Sequence, residues 1–277
     1  MRRTCCQAEK LEPRLLLASG SALSFGPLGQ WGGVVNDVQV VNGYAYVARG
    51  PAIEVLNVAN PGLPQSVARV ALRGMAANLQ IAGNLAYVAG SEAGLQIIDI
   101  ADPAHPQLIG SYDTPGNAYS VSVSGSVAYV ADGGWGLQVI DVSNPARPRL
   151  ITNYTVATTD DACAVQAVGS MVYLGQLSGN LQIISVRDPA TPVTLGQFRV
   201  YANDLQVVND LAYLVSGRML TILDVSDASQ PVRIGQFDDG AQTAAVQIAG
   251  KRAYITDEFG LQIVDVSNAA DPVARGN

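Results

Sequence analysis

Hydrophobic and polar residues alternate along the chain in short segments that are separated by glycine, proline, asparagine and aspartate. In one stretch the alternation runs from Asn78 to Ala82, breaks at Gly83-Asn84 and resumes from Leu85 to Ala89. Two further segments follow, Leu95 to Ile100 and Gln107 to Tyr112. Valine, isoleucine and tyrosine favour strands, whereas the separating residues mark turns. The pattern therefore predicts four short antiparallel strands in about forty residues.

This unit recurs six times. Its clearest element is a five-residue apolar run, and successive runs start 42, 42, 44, 39 and 41 residues apart, at Ile53, Leu95, Leu137, Leu181, Leu220 and Leu261. A tyrosine keeps the same spacing, at Tyr46, Tyr87, Tyr129, Tyr173, Tyr213 and Tyr254. A repeat of this length, built from short strands, is typical of propeller blades. We therefore predict an all-β fold, a six-bladed β-propeller of four-stranded antiparallel blades, with repeats near 34–72, 76–114, 118–156, 162–200, 202–239 and 243–277.

A two-residue turn separates the first and second strands of every unit. Tight hairpins need positive φ at one or both central residues, and glycine and asparagine tolerate that conformation best. The six turns are Asn42-Gly43, Gly83-Asn84, Gly125-Ser126, Gly169-Ser170, Asn209-Asp210 and Gly250-Lys251. Their common position supports an antiparallel meander within each unit.

The N-terminal segment carries the signature of a fourth strand before the first complete unit begins. Leu28-Gly29-Gln30-Trp31 matches Leu195-Gly196-Gln197-Phe198, whereas the C-terminal segment Pro272 to Asn277 lacks the aromatic residue. We expect residues 23–31 to supply the outer strand of the sixth blade, because pairing would protect that sheet edge. The predicted domains are a disordered leader or export segment over residues 1–20 and the propeller over residues 21–277.

The composition of the chain argues against nucleic acid as a partner and against a segment that crosses a membrane. The chain has 277 residues, enough for one continuous β core, and a net charge of −7. No basic patch or basic run with interspersed aromatic residues suggests nucleic acid. No apolar run has the length needed to cross a bilayer. We expect a monomer without a cofactor or a bound metal.

The apolar run, best preserved as Leu261-Gln262-Ile263-Val264-Asp265, resembles the LVIVD repeat of bacterial and archaeal surface propellers. The continuation into Val142-Ser143-Asn144-Pro145 also matches that repeat. The resemblance spans roughly residues 34 to 272, and Asn57, Ser185 and the pair Asp227-Ala228 depart from it. It implies a propeller that is frequently extracellular, and it implies no defined activity and no catalytic residues.

The leader contains the string Leu11-Glu12-Pro13-Arg14-Leu15-Leu16-Leu17-Ala18. This string resembles the planctomycete-type LEPR-x-LL export motif found near the start of surface and secreted proteins. The resemblance implies that the protein is exported, to the extracellular space or the cell surface. The alternative is a disordered leader without a targeting role.

Acidic residues recur once per unit at the end of the third strand, where we interpret them as structural. A side-chain oxygen at a strand end caps the N–H groups of the following turn. An asparagine and a serine stand at the same place in two units, so the position does not require a charge. The six residues are Asn57, Asp99, Asp141, Ser185, Asp224 and Asp265.

The only histidine, His105, lies in the turn after the third strand of the second unit. The equivalent positions hold leucine, arginine, threonine, glutamine and aspartate, which indicates a solvent-facing turn. Ser-His-Asp catalysis needs a histidine as general base, and zinc sites commonly use several histidines or cysteines. We therefore predict no catalytic residue.

The candidate ligand-binding face carries the loops that join strand two to strand three and strand four to the next strand one. In a four-stranded meander these loops fall at the same end of the blade. Variable aromatic and acidic residues on a regular scaffold suit binding. The candidate residues are Trp31, Asp37, Asn78, Tyr119, Ser120, Trp135, Tyr201, Asp204 and Phe259. Trp135, flanked by glycines, either projects outward as an anchor or folds over the adjacent blade.

The sequence thus favours a non-enzymatic, exported repeat protein that presents this face to a protein or a glycan. One alternative is a metal-assisted lyase or hydrolase that holds calcium at the acidic channel mouth, because calcium accepts oxygen ligands alone. Another alternative is a purely structural module of the cell envelope. The sequence does not identify the ligand.

Overall fold

A computed structural model of the chain describes residues 35–155 and 161–276. Within these residues, 24 strands form six four-stranded sheets, and each sheet uses four consecutive strands in chain order. Neighbouring strands within the sheets run antiparallel. The predicted all-β, six-bladed propeller is confirmed.

The first three blades contain twelve strands. Blade one comprises β1 (Asp37–Val41), β2 (Tyr44–Ala48), β3 (Ala52–Asn57) and β4 (Gln65–Ala71). Blade two comprises β5 (Asn78–Ala82), β6 (Leu85–Ala89), β7 (Leu95–Asp99) and β8 (Gln107–Tyr112). Blade three comprises β9 (Ser120–Ser124), β10 (Val127–Ala131), β11 (Leu137–Asp141) and β12 (Arg149–Tyr154).

The last three blades follow the same scheme. Blade four comprises β13 (Ala162–Val168), β14 (Met171–Gln176), β15 (Asn180–Ser185) and β16 (Val193–Phe198). Blade five comprises β17 (Asp204–Val208), β18 (Leu211–Ser216), β19 (Met219–Asp224) and β20 (Val232–Asp238). Blade six comprises β21 (Thr243–Ala249), β22 (Arg252–Asp257), β23 (Gly260–Asp265) and β24 (Val273–Gly276).

The described residues fall into two compact units, 35–174 with 184–193, and 175–183 with 194–276. In the first unit, three separate apolar clusters lie between blades one and two, two and three, and three and four. In the second unit, one such cluster lies between blades five and six. Each cluster combines apolar residues of the second and third strands with apolar residues from the first strand of the following blade. The repeated apolar positions of the sequence therefore form the core.

The turns between first and second strands have the predicted conformation. Asn42 and Gly43 have φ values of 52° and 79°, and Asn209 and Asp210 have φ values of 50° and 60°. In the remaining blades the glycine of the turn alone has positive φ, as at Gly83 with 61°. Glycine and asparagine therefore occupy these positions because the hairpin geometry requires left-handed backbone.

A glycine in the fourth strand lets the next blade approach closely. Gly110 lies beside an extra residue in β8, where the register with β7 shifts. A Cβ atom on Gly110 would overlap the backbone oxygen of Pro145 in the following blade. Gly235 has the same relation to the backbone oxygen of Ala269. The glycine of the fourth-strand signature thus has a packing role between blades.

The fourth strand of blade six is formed by β24, which pairs with the second half of β23 through Ile263↔Gly276, Val264↔Ala274 and Asp265↔Val273. The predicted closing strand at residues 23–31 lies outside the described residues and stays a prediction. The leader of residues 1–20 lies outside them as well. None of the described segments is a helix of the length and hydrophobicity needed to span a bilayer.

Candidate functional site

The two-to-three loop of a blade contacts the chain that enters the following blade. Ser91 and Ala118 exchange backbone hydrogen bonds of 3.0 and 3.1 Å, and so do Gly133 and Ala162. In the second unit, the Thr243 N–H donates to the backbone oxygen of Gly217 at 2.6 Å. Both sets of loops therefore lie at the same end of their blades, which we term the loop end.

Polar side chains at the start of the first strands join neighbouring blades. The Asp37 Oδ2 atom accepts hydrogen bonds from Asn78 Nδ2 at 2.7 Å and from the Leu79 N–H at 2.8 Å. The Asn78 Oδ1 atom in turn accepts from the Val121 N–H at 3.0 Å. Each of these side chains thus supplies an acceptor for the backbone of the next blade.

The same contact recurs at two other predicted site residues. The Ser120 Oγ atom accepts a hydrogen bond from the Val165 N–H at 3.3 Å. In the second unit, the Asp204 Oδ2 atom accepts one from the Val246 N–H at 2.9 Å. Four of the predicted ligand-binding residues therefore make hydrogen bonds between blades.

A second set of inter-blade contacts lies two residues further along the first strands. The Gln39 side chain accepts from the Ile81 N–H at 2.9 Å and donates to the Leu79 oxygen at 3.0 Å. Gln80 and Ser122 accept in the same way from the next blade, as Gln206 does from the Ile248 N–H. Sequence reasoning did not single out this set, although its signal is a polar residue at the third position of these first strands.

The environment of Asp37 reflects this structural role. Its Oδ1 atom accepts from the Val38 N–H at 2.7 Å, and its Oδ2 atom holds two donors from blade two. Burial raises the pKa of Asp37, and the hydrogen bonds from Leu79, Val38 and Asn78 oppose that rise. Both carboxylate oxygens thus face protein donors, which favours a role in joining blades.

Trp135 lies at the tip of the two-to-three turn of blade three. The turn is closed by hydrogen bonds from the Trp135 N–H to the Asp132 oxygen at 3.2 Å and from the Gly136 N–H to the Gly133 oxygen at 3.0 Å. The Trp135 side chain is 54% exposed, and a Cβ atom on Gly116 would lie 2.8 Å from its Cδ1 atom. One edge of the indole therefore packs against the neighbouring loop while the rest faces solvent.

Asp132 is fully buried beneath this turn. It accepts hydrogen bonds from Thr114 Oγ1 at 2.6 Å, from the Gly116 N–H at 3.0 Å and from Gln138 Nε2 at 3.2 Å. Burial raises the pKa of Asp132 to about 6, against the effect of these hydrogen bonds. The carboxylate therefore ties the loop that enters blade three to the turn that carries Trp135.

Gln138 completes this arrangement. Its Nε2 atom also lies 3.4 Å from the backbone oxygen of Trp135, and Asn153 Nδ2 donates to that same oxygen at 3.2 Å. The Oε1 atom of Gln138 is buried and lacks a hydrogen-bond partner among the described residues. Sequence reasoning missed Asp132 because it stands at this place in blade three without an equivalent acid in the two preceding blades.

Other blades place different polar pairs beneath the same loop. In blade one the pair is ionic, with Arg49 Nη1 3.4 Å from Glu54 Oε2. In blade four Gln182 Nε2 donates to Gln176 Oε1 at 3.3 Å. The two-to-three loops thus rest on a polar pair whose chemistry varies from blade to blade.

Tyr201 is 59% exposed in the loop that leads into blade five. A Cβ atom on Gly179 would lie 3.1 Å from three carbons of the Tyr201 ring, Cε1, Cε2 and Cζ. The equal distances show that the ring lies face-on against Gly179. Beside Tyr201 is a cleft of about 250 Å³, lined among others by Arg199, Met219 and Arg233.

The remaining predicted residues of the face differ in exposure. Phe259 is 79% exposed, and its N–H donates to Asp257 Oδ1 at 2.7 Å. Tyr119 is half-buried, and its backbone N–H donates to the Ala131 oxygen at 2.9 Å. Trp31 lies outside the described residues, so its place on this face stays a prediction.

The residues at the end of the third strands lie at the opposite end of the blades. Five of them accept a hydrogen bond at 2.9 to 3.0 Å from the N–H two residues later, and they are Asn57, Asp99, Asp141, Asp224 and Asp265. Ser185 is half-buried at the same place in blade four. A hydrogen bond of this kind caps a turn.

A second capping residue follows three positions later in each described blade. Its Oδ1 atom accepts from the N–H two residues on, at 2.9 to 3.2 Å, in Asn60, Asp102, Asn144, Asp188, Asp227 and Asn268. Hydrogen bonds from Ser267, together with Arg275, lower the pKa of Asp265 to about 2. These contacts favour the ionised form of Asp265.

His105 lies in one of these turns. Its Nδ1 atom is 2.8 Å from Asp102 Oδ2, and both side chains are exposed. This hydrogen bond is the main cause that lowers the pKa of Asp102. Across residues 35–155 and 161–276, no group of three or more histidine, cysteine, aspartate or glutamate side chains is arranged to hold a metal ion.

Comparison with models of protein families identifies the family of this chain. The LVIVD repeat model matches residues 32–71, 73–114, 115–156, 201–239 and 240–277, and the chain therefore belongs to the LVIVD repeat family. The unmatched residues 157–200 include blade four, whose third strand ends in Ser185. A comparison with curated protein sequences gives no significant match.

Solved structures share the fold at low sequence identity. The β-propeller domain of Cps50 (Swd1) from Myceliophteria thermophila is 12% identical, with a TM-score of 0.72 over 86% of this chain and 84% of that one. A chain of the mitotic checkpoint complex is 15% identical, with a TM-score of 0.68 over 87% and 78%. The computationally designed Ika8 protein is 11% identical, with a TM-score of 0.64 over 83% and 70%. At these identities the likeness concerns the fold alone.

Proposed function

We propose that the protein is a non-enzymatic, exported binding scaffold that presents the loop end of its blades to a protein or a glycan. The observation that carries the proposal is the exposure of aromatic side chains at that end. Trp135, Tyr201 and Phe259 are 54%, 59% and 79% exposed. By contrast, the repeated tyrosines of the second strands Tyr46, Tyr87, Tyr129, Tyr173 and Tyr213 are buried.

This contrast separates two uses of aromatic residues in one chain. This tyrosine recurs once per blade, as a core residue does; it is buried in blades one to five, and Tyr254 of blade six is half-buried. The exposed rings occur at single blades and differ in type, so the repeat does not require them. A large ring in water forgoes the favourable free energy of burial, and aromatic residues are enriched among the residues that dominate binding. Binding of a partner would bury these rings.

Membership of the LVIVD family supports a propeller scaffold, and propellers generally serve as binding platforms. The proposal that the protein is exported has separate support, namely the resemblance of residues 11–18 to the LEPR-x-LL motif. Fractionation of cells that produce the full chain tests it directly. Retention of the full-length chain in the cytoplasm would contradict export without bearing on the binding surface.

The binding role is tested by immobilising the full chain and probing it with a glycan array and with envelope extracts. Trp135→Ala, Tyr201→Ala and Phe259→Ala are compared with the wild type, and Lys251→Glu at the opposite end serves as control. We expect at least one aromatic variant to lose capture while the control retains it. If Lys251→Glu abolishes capture and the aromatic variants preserve it, the binding surface lies at the opposite end of the blades and not at the loop end. A wild-type chain that captures nothing would favour a purely structural module.

A further inference from the structure

The cleft beside Tyr201 combines features that point to a class of ligand. It has a volume of about 250 Å³ and lies within the second unit, between the loop that enters blade five and one face of that blade's sheet. Its lining includes two arginines, Arg199 and Arg233, together with Met219, Thr221 and Gln236. Ligand pockets for drug-sized molecules start at about 300 Å³, so this cleft suits a smaller group such as one sugar ring.

Arg199 and Arg233 place two positive charges in the cleft. Neither Arg199 nor Arg233 makes an ion pair or a side-chain hydrogen bond within the described residues, and both are exposed. By contrast, Arg218 at the same loop end lies 3.3 Å from Asp238, and Arg49 in blade one lies 3.4 Å from Glu54. In a chain with a net charge of −7, two unpaired guanidinium groups in one cleft favour an anionic ligand.

The geometry of Tyr201 adds a flat apolar surface to this charge. One face of the ring rests on Gly179, whose φ is 91°, a left-handed conformation that suits glycine. A side chain at residue 179 would displace the ring, so Gly179 fixes its position. Because Tyr201 is 59% exposed and lines the cleft, the opposite face of the ring is open to a ligand. The C–H face of a sugar packs well on such a ring.

We propose that this cleft binds a sugar residue that carries a carboxylate or a sulfate group. The anionic group binds Arg199 and Arg233, because guanidinium groups pair with such oxyanions through charge-assisted hydrogen bonds. The sugar ring packs on Tyr201, and Thr221 and Gln236, which also line the cleft, supply polar contacts. The inference rests on the proposed binding role and specifies its ligand class as an acidic glycan.

Calorimetric titration of the full chain tests the proposal with four probes: an oligogalacturonate, a sulfated oligosaccharide, a neutral galactose oligosaccharide and citrate. We expect saturable binding of at least one acidic sugar and none of the neutral sugar. Citrate has the charge without the ring and should bind at least tenfold more weakly. Raising the salt to about 0.5 M should weaken binding, because the exposed arginines are then screened.

Arg199→Gln and Arg233→Gln should each raise the Kd for the acidic sugar by about tenfold or more, as expected when a hydrogen bond to a charged group is lost. Tyr201→Ala should weaken both acidic sugars but leave the weak binding of citrate unchanged. Arg187→Gln removes the same charge from an exposed turn of blade four and should have no effect. All four positions are exposed, so circular dichroism should show intact folding.

The outcomes separate this inference from the binding role on which it rests. Suppose that the chain captures a partner through its exposed aromatic residues, but that both arginine variants bind the acidic sugar within twofold of the wild type. This result would overturn the proposed sugar site in the cleft and would leave the binding role intact. Citrate binding as tight as the acidic sugars would overturn a sugar site. A chain that binds no probe in calorimetry and captures nothing from an array or an extract would overturn both proposals.

Discussion

Blades three and five hold different residues at the same two places beneath the two-to-three loop, and their loop ends differ accordingly. In blade three these places hold Asp132 and Gln138, which bond to each other at 3.2 Å. In blade five they hold Ser216 and Thr221, and a cleft of about 250 Å³ is lined by both residues. Larger polar side chains thus bond to each other in blade three, whereas smaller ones line a cleft in blade five.

The comparison shows how a repeat fold diversifies without altering its core. The apolar positions of β11 and β19 are equally buried, so the strands provide the same support in both blades. The polar pair beneath the loop and the loop itself differ: six positions separate Asp132 from Gln138, and five separate Ser216 from Thr221. Trp135 lies in the two-to-three loop of blade three, whereas Tyr201 lies in the loop that enters blade five. Trp135 and Tyr201 therefore present their rings in different surroundings.

The largest expected effect follows from removing the hydrogen bonds that Asp132 accepts in blade three, which we call the brace. Asp132→Ala would leave Thr114 Oγ1, the Gly116 N–H and one donor of Gln138 without their acceptor in a buried site. We expect the free energy of unfolding to fall by about 3 kcal/mol, the range for stranded buried donors. Urea denaturation at pH 7 measures it. The matched change Ser216→Ala in blade five should cost less than about 1 kcal/mol. Equal effects of the two changes would show that the brace has no special role.

Binding should be affected next. If Trp135 is an anchor, Trp135→Ala should weaken capture of a partner by about 2 kcal/mol and leave the unfolding transition nearly unchanged, because the ring is half-exposed. Surface plasmon resonance with the captured partner measures the affinity. Trp135→Phe serves as the conservative variant and should retain part of the affinity. A stability loss as large as that of Asp132→Ala would instead show that the indole is mainly a packing residue.

The acidity of Asp132 predicts a smaller, pH-dependent effect. Its pKa is raised from 3.8 to about 6, so the folded state favours the protonated acid more than the unfolded state does. The resulting stabilisation is complete below about pH 3.8 and is lost as the pH rises through about 6. Between pH 7 and pH 5 the wild type should therefore gain about 1 kcal/mol relative to Asp132→Asn. Urea denaturation of both proteins at each pH gives this difference, and a difference that stays constant across the range would contradict the raised pKa.

The fold was predictable because the sequence pattern of one blade recurs six times. The bounds predicted for β5, β6 and β8 agree with the structure, since β5 and β6 end before a glycine and β8 lies between Pro106 and Asp113. The turn residues were predictable for the same local reason: positive φ at Asn42 or Gly83 depends on neighbours in sequence and not on distant contacts. Because the same strand and turn residues appear in six copies, each copy supports the assignment made in the others.

The sites were less predictable because they depend on contacts between repeats or on residues that do not repeat. The sequence placed Asp37 and Asn78 at the start of first strands, but their hydrogen bonds join residues more than forty positions apart. The residue at the place of Asp132 varies between blades, with an acid again only at Asp257 of blade six, and Asp132 is bonded to the loop that carries Gly116. The cleft combines Arg199, in the loop that enters blade five, with Arg233 in β20, and the two residues are far apart in sequence. Residues that depart from a repeat are therefore the ones to examine for function.

Exchanging the polar pair between blades gives the smallest expected change in stability. In Ser216→Asp with Thr221→Gln, blade five receives the pair of blade three. The glutamine would occupy volume in the cleft, and the carboxylate would face a site lined by Arg199 and Arg233. We expect the free energy of unfolding to change by less than about 1 kcal/mol, because the places already hold polar residues in other blades. If the cleft binds an acidic oligosaccharide, this binding should be lost. The new carboxylate would neutralise the positive charge of the cleft, and the new glutamine would fill part of its volume. Calorimetry on the double variant and on each single variant measures this. Unchanged affinity in the double variant would show that the pair beneath the loop does not determine what the loop end binds.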